Sequence, residues 1–212
     1  METLSQLVLN SIIAGAIYTL VAVGFNLIFG AVKFFNLAHG VLAAFGGYLV
    51  FFLANAMGFN VYLSVPVAVI CSGLAGFAFE KIIFLPLRRR KASNMVLLVA
   101  SLGLMTSFQA VLAIIFSSQF QTLTGESARQ TIFNIGGGAI TLTQVVIAAL
   151  GAGVTVFLII LLNKTMFGKA VKAISDDEEV AKIVGINTDK VIGRVFFIGS
   201  AIAGLSGILS GF

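Results

Sequence analysis

Apolar residues run along this chain in long uninterrupted blocks, separated by short polar or charged breaks. Six blocks stand out, at 7–31, 34–56, 62–85, 95–117, 143–163 and 195–212. Each is close to the roughly 20 residues that a helix needs to cross a bilayer, and far longer than a barrel strand. The pattern predicts an all-α, polytopic transmembrane bundle with about six spans, organised as one domain over residues 1–212. The first block follows Met1-Glu2-Thr3 with no basic stretch and is too long for the core of a signal peptide, so it reads as a retained helix.

Composition agrees with this and narrows it. Hydrophobic residues make up 59% and charged residues only 10%, against about 25% charged in a soluble domain. The mean hydropathy is +1.10. A soluble fold of this size lacks the charges to cover its surface. The 23 glycines and 20 phenylalanines suit close helix packing and a lipid-facing surface. Cys71 is the single cysteine, so no intrachain disulfide forms. The net charge of +5 is no nucleic-acid signal here, because the basic residues flank apolar blocks.

Those flanking charges predict the orientation. Arg88, Arg89, Arg90 and Lys91 form one basic cluster, and a mixed charged segment covers 164–194. Two spans separate them, so both lie on one side, cytoplasmic by the positive-inside rule. The segment 119–143, with only Glu126 and Arg129, then lies outside, as does the N-terminus. Lys33 is the single charge between the first two spans; a re-entrant span there would reverse the N-terminus.

Polar residues inside the apolar blocks are the candidates for chemistry. On a continuous helix Asn36, Gly40, Ala43 and Gly47 share one face, with His39 beside it, while Leu42, Phe45, Leu49 and Phe52 share another. Asn36 and His39 serve either as hydrogen-bonding glue between helices, the favoured reading, or as part of a translocation path. The lone histidine has no carboxylate or thiol at ligand spacing, so no metal site is expected. Glu80 is placed to reach the arginine-rich turn and Lys81 to extend toward headgroups, an anchoring role. The last block carries small residues every four positions, Gly199, Ala203, Gly207 and Gly211, which predicts close helix contact.

The charged segment contains helix punctuation. Ser175-Asp176-Asp177-Glu178 reads as a capping box, with Ser175 at the N-cap and Glu178 three residues on. Gly185 suits the C′ position, which predicts a short helix over 175–185 with Val180, Ile183 and Val184 as its apolar edge. Asn187-Thr188-Asp189 is a second start signal, feeding the last span. A short helix specified at both ends is a rigid protrusion that a soluble partner can grip.

With these motifs assembled, the chain resembles the branched-chain amino acid permease family of ABC importers, the first of its two paired membrane subunits. The resemblance runs nearly end to end. It rests on Gly24 to Gly30, on Phe35-Asn36-Leu37-Ala38-His39-Gly40, and on Glu80-Lys81 followed by Leu85-Pro86-Leu87-Arg88. It continues through Gly168-Lys169-Ala170-Val171-Lys172-Ala173, Gly185-Ile186-Asn187-Thr188-Asp189-Lys190 and the final small-residue stripe. It implies a multi-pass protein of a bacterial-type plasma (inner) membrane that is not itself an enzyme. The implied partners are membrane lipid, a second permease subunit, two cytoplasmic ATPase subunits and a periplasmic or extracellular substrate-binding protein. It also implies a coupling element within 168–190. Glu179-Val180-Ala181-Lys182-Ile183-Val184-Gly185 is similar to the importer loop that docks into the ATPase, with valine for its first alanine and without its hydrophobic-proline tail. No Walker A pattern is present, so the chain is expected to bind no cofactor and to leave ATP to a partner. Members usually carry further C-terminal helices, so the chain is expected to be a C-terminally shortened member. Urea or short-amide permeases of the same family are the nearest alternative. An ion-coupled secondary transporter fits less well, lacking midplane ionisable groups and inverted repeats, and a non-transporting assembly subunit is a third alternative.

Overall fold

The computed structural model describes residues 2–116, 132–135 and 138–211. Glu126 and Arg129, expected on the outer side, lie outside the described residues. The chain begins with α1 (Glu2–Val32), breaks at 33–37, and re-enters as α2 (Ala38–Phe51), which ends in a π turn at Phe52–Ala56. α3 (Val61–Phe79) continues through a second π turn, Glu80–Phe84, into the short α4 (Leu85–Arg89). α5 (Asn94–Phe116) follows, then a hairpin of β1 (Ile132–Ile135) and β2 (Gly138–Thr141). The chain returns through α6 (Leu142–Lys164), makes two short helices, α7 (Met166–Asp176) and α8 (Glu178–Ile183), and finishes with α9 (Thr188–Ser210).

Six of these segments are long and apolar enough to cross a membrane, Thr3–Val32, Ala38–Ala56, Val61–Arg89, Asn94–Phe116, Leu142–Lys164 and Thr188–Ser210. They match the six expected blocks. The second begins later than expected and the last begins earlier. The early start of α9 comes from Asn187, whose side-chain oxygen accepts a hydrogen bond from Lys190 N at 3.1 Å. α6 starts at a reciprocal capping box between Thr141 and Gln144.

Both ends of the bundle are defined by contacts. At one end Gln6 of α1 holds the backbone of β2 in both directions, donating to Ala139 O at 3.1 Å and accepting from Ala139 N at 2.8 Å. The hairpin pairs antiparallel from Ile132–Thr141 to Ile135–Gly138, a small element within the segment that the sequence left as a loop. At the other end Lys33 Nζ donates to Ser175 Oγ at 3.1 Å, Asn94 Nδ2 donates to Lys33 O at 3.3 Å, and Arg89 meets Asp189 at 2.8 Å. Lys33, the basic cluster and the charged segment thus share one end, and α1 runs to it from the hairpin end. No re-entrant first span is needed.

α9 is the central post, packed by α1, α2 and α3. Between apolar helices in lipid, contact rather than transfer from water supplies the attraction, so backbone approach matters. A Cβ on Gly46 would lie 2.6 Å from Gly204 Cα, and one on Gly24 would lie 2.8 Å from Gly199 O. The stripe expected from sequence is used, at Gly199, Ala203 and Gly207, and Gly204 joins it.

Candidate functional site

The charged end is built around a proline. Pro86 has no N–H to offer Ile82 O, and its ring crowds that carbonyl, so a straight α-helix cannot pass through it. The chain widens into the π turn Glu80–Phe84, closed by Leu85 N bonding to Glu80 O. That turn places Glu80 fully inside, at 0% exposure, where its carboxylate accepts a hydrogen bond from Arg88 Nη2. Arg88 also reaches Glu178 Oε1 at 3.5 Å, and Glu178 Oε1 accepts from Lys182 Nζ at 2.8 Å and from Thr188 Oγ1 at 3.3 Å. The anchoring read for Glu80 is present, and it extends to a residue the sequence had not connected with it. Lys81 lies over the Phe77 ring, 5.6 Å from its centroid.

The capping box expected at Ser175 is not formed. Ser175 belongs to α7, and its hydroxyl meets Lys33. The residue that starts α8 is Asp177, whose Oδ1 accepts from Glu179 N at 2.8 Å and Val180 N at 3.0 Å. An ionised carboxylate at this position also favours the positive helix start. The predicted helix over 175–185 is therefore two helices meeting at Asp177. The far end follows the prediction. Gly185 has φ +88°, its N–H bonds to Lys182 O, and Ile186 N bonds to Ala181 O, both at 3.0 Å, which is a Schellman closure. Ala181 is buried, whereas Val180, Ile183 and Val184 are 54%, 83% and 68% exposed, and Glu179 is exposed beside them. Gly168 sits at the α6–α7 corner, where a Cβ would overlap the backbone of Leu162. Thr165 caps α7 there, accepting from Gly168 N at 3.1 Å. The sequence reading named Gly168 but missed α7. Its signal was Thr165 followed by buried positions at Gly168, Val171 and Ile174.

The second span departs from the expected single face. Asn36 precedes α2, in the break at 33–37, and does not lie on the helix. Its Oδ1 accepts from Ala38 N at 3.1 Å, while Ser101 of α5, whose own proton goes to Leu98 O at 2.7 Å, supports the break by accepting from Leu37 N at 3.1 Å. Irregular backbone at membrane depth persists only when its polar groups are met in this way. Asn36 Nδ2 and both His39 ring nitrogens are buried without a hydrogen-bond partner among the described residues. The His39 ring lies where a Cβ on Gly24 would come within 3.2 Å, and Phe25 stands edge-on to it at 6.0 Å. Gly47 faces α9, 3.1 Å from Gly207 O at its would-be Cβ. Of the face expected to carry Leu42, Phe45, Leu49 and Phe52, Leu42 is buried and Phe45 stands edge-on against Phe108. A Cβ on Gly40 would meet nothing within 4 Å among the described residues; Gly40 is exposed and borders an open groove of about 420 Å³ with Ala44, Tyr48 and Gln109. Asn36 and His39 are thus interior, Gly47 is a helix contact and Gly40 faces outward. Asn36 and His39 are therefore adjacent in the interior, apart from the exposed Gly40, while Val180, Ile183 and Val184 are all exposed at the charged end.

Among the described residues, no group of three or more His, Cys, Asp or Glu side chains is arranged to hold a metal ion. Six apolar crossings with one charged, helix-bearing end define a multi-pass membrane protein. The chain belongs to the family described as the branched-chain amino acid transport system permease component, whose model matches residues 7–212. It is 28% identical to the high-affinity branched-chain amino acid transport system permease protein LivH of Salmonella typhimurium, over 97% of this chain and 70% of that one. It is 24% identical to the corresponding permease protein BraD of Pseudomonas aeruginosa, over 98% of this chain and 70% of that one. To a probable branched-chain amino acid transport permease protein LivH of Methanocaldococcus jannaschii it is 28% identical, over 93% and 63%. No solved structure matches it significantly. The chain is a transport permease subunit by family.

Proposed function

We propose that this chain is the membrane subunit of an ABC importer that forms part of the translocation path for branched-chain amino acids, and that α8 is the helix that receives a separate ATPase. The observation that carries the reading is α8 itself. It is a six-residue helix closed at both ends, by Asp177 and by Gly185, and it presents Val180, Ile183 and Val184 to solvent. Exposed aliphatic side chains on a rigid protrusion at a charged end suit insertion into a partner's groove. The positive-inside rule puts that end in the cytoplasm of a bacterial-type inner membrane. The complex then contains a second permease subunit, two ATPase subunits that bind and hydrolyse ATP, and a periplasmic or extracellular binding protein that delivers the substrate. Branched-chain amino acids as substrate rest on what the relatives are named for.

Two measurements test this. Vesicle uptake of labelled leucine, isoleucine, valine and urea, with and without ATP, is expected to show ATP-dependent import of the amino acids. Co-purification of the ATPase is expected to fail for Val180→Asp, which puts a charge into a buried apolar contact. It is expected to weaken for Gly185→Val, which strains the left-handed position by about 1–2 kcal/mol. Full retention of the ATPase and of stimulated hydrolysis by both variants would contradict the docking role.

A further inference from the structure

Arg88 joins elements that the docking role of α8 does not by itself require to be joined. One arm of its guanidinium holds Glu80, at the head of the π turn in the third span; the other holds Glu178, the first residue of α8. Glu178 in turn accepts from Thr188, the first residue of α9 and so of the central post. A single side chain therefore stands between the proposed docking helix and a span, with the central helix on the same carboxylate.

Such a pair is not explained by stability. Burying two charges costs desolvation that their attraction barely recovers, and a matched apolar pair is commonly as stable or more so. Ionic groups at this depth fix position rather than add strength, and inside a membrane segment they are functional by default. The surroundings permit movement. A cavity of about 230 Å³ opens beside Arg88, lined also by Asn94, Leu97, Glu178 and Glu179. The π turn is a widened ring, and such turns recur at functional sites within helices.

We propose that Arg88 is a positioning residue that carries displacement of α8 to the π turn of the third span, with Glu80 and Glu178 as its two grips. This deepens the reading of α8 as the ATPase-docking helix and rests on it. Arg89 and Asp189, more exposed, form a parallel tie between the same basic turn and the start of α9.

The test uses the full complex in proteoliposomes, with labelled leucine and binding protein outside and ATP inside. Retained ATPase, ATP hydrolysed and leucine imported are read together. Glu80→Leu combined with Arg88→Met replaces the ionic link with apolar contact and leaves no orphan charge. Glu178→Ala cuts the α8 grip, together with the Thr188 and Lys182 bonds to the same carboxylate, and Arg90→Gln alters the same basic cluster outside the link. In the first two, the ATPase stays bound and leucine imported per ATP falls about tenfold, an ordinary size for coupling between sites; Arg90→Gln leaves the ratio unchanged. An unchanged ratio in Glu178→Ala, or normal import by the apolar double variant, would overturn the proposal and leave the pair an anchor. Loss of the ATPase from Glu178→Ala would also overturn it, making Glu178 a docking contact. If the double variant fails to assemble, Glu178→Ala decides alone. Failure of docking as such shows separately, as retention of the ATPase by Val180→Asp.

Discussion

α5 and α9 are each 23 residues long and their most apolar stretches are of similar hydropathy, yet their surroundings differ sharply. In its most apolar stretch α9 is 61% buried and α5 only 11%. Hydropathy does not separate them. The spacing of small residues does: Gly199, Gly204 and Gly207 of α9 each meet a neighbouring helix at backbone range, whereas a Cβ on Gly103 of α5 would meet nothing within 4 Å among the described residues. In lipid, where apolar surface alone gives no drive to associate, a helix is taken into the bundle by the closeness its backbone permits. α5 contributes to the interior at Leu97, Ser101 and Leu112 and leaves most of its surface to lipid or another subunit.

The largest effect should come from breaking the close approach around α9. Gly46→Leu drives a side chain into the Gly204 backbone, and it is expected to cost at least about 3 kcal/mol, the upper range for overpacking. Gly103→Leu should change stability by about 0.5 kcal/mol or less. Thermal unfolding of the two variants in detergent reads the contrast directly, and equal losses would remove the distinction between the helices.

The α6–α7 corner should show an intermediate effect. Gly168→Ala forces Leu162 to move and is expected to cost about 1–3 kcal/mol, seen as a lower midpoint in the same unfolding measurement. It sharpens the comparison by placing a backbone-range contact outside α9.

The smallest effect separates the two residues that compete to start the docking helix. Asp177→Ala removes two hydrogen bonds to the first turn and should cost about 1 kcal/mol. Ser175→Ala removes only an exposed hydrogen bond to Lys33 and should stay within about 0.5 kcal/mol. Amide hydrogen exchange across 178–184 is the suitable readout, with faster exchange expected only for Asp177→Ala.

The spans were legible because a run of apolar residues constrains a chain in lipid almost completely. The stripe on α9 and the Gly185 closure were legible because small residues and left-handed positions have few other uses. The start of α8 was not. Ser175 and Asp177 are both good caps, and the choice between them is tertiary: Glu178 is held by Arg88 and Thr188, while Lys33 takes the Ser175 hydroxyl. The position of Asn36 was hidden for the same reason, since the break at 33–37 is supported from far along the chain, by Asn94 on Lys33 O and by Ser101 on Leu37 N. Gly40 shows the converse limit. The small residue was seen, but among the described residues no neighbour comes within 4 Å of the Cβ it lacks.

The central claim is that α8 meets an ATPase. Its most direct test is site-specific cross-linking from Ile183, the most exposed aliphatic position of the helix. In a complex whose native Cys71 has been replaced by serine, a maleimide–benzophenone photo-cross-linker on Ile183→Cys, whose excited carbonyl inserts into a neighbouring C–H bond, should yield a covalent adduct with the ATPase subunit. The same reagent on Ile160→Cys, on the exposed face of α6, should yield none. An Ile183→Cys complex that forms no adduct, and whose thiol reacts with a water-soluble maleimide equally fast with and without the ATPase, would contradict the account.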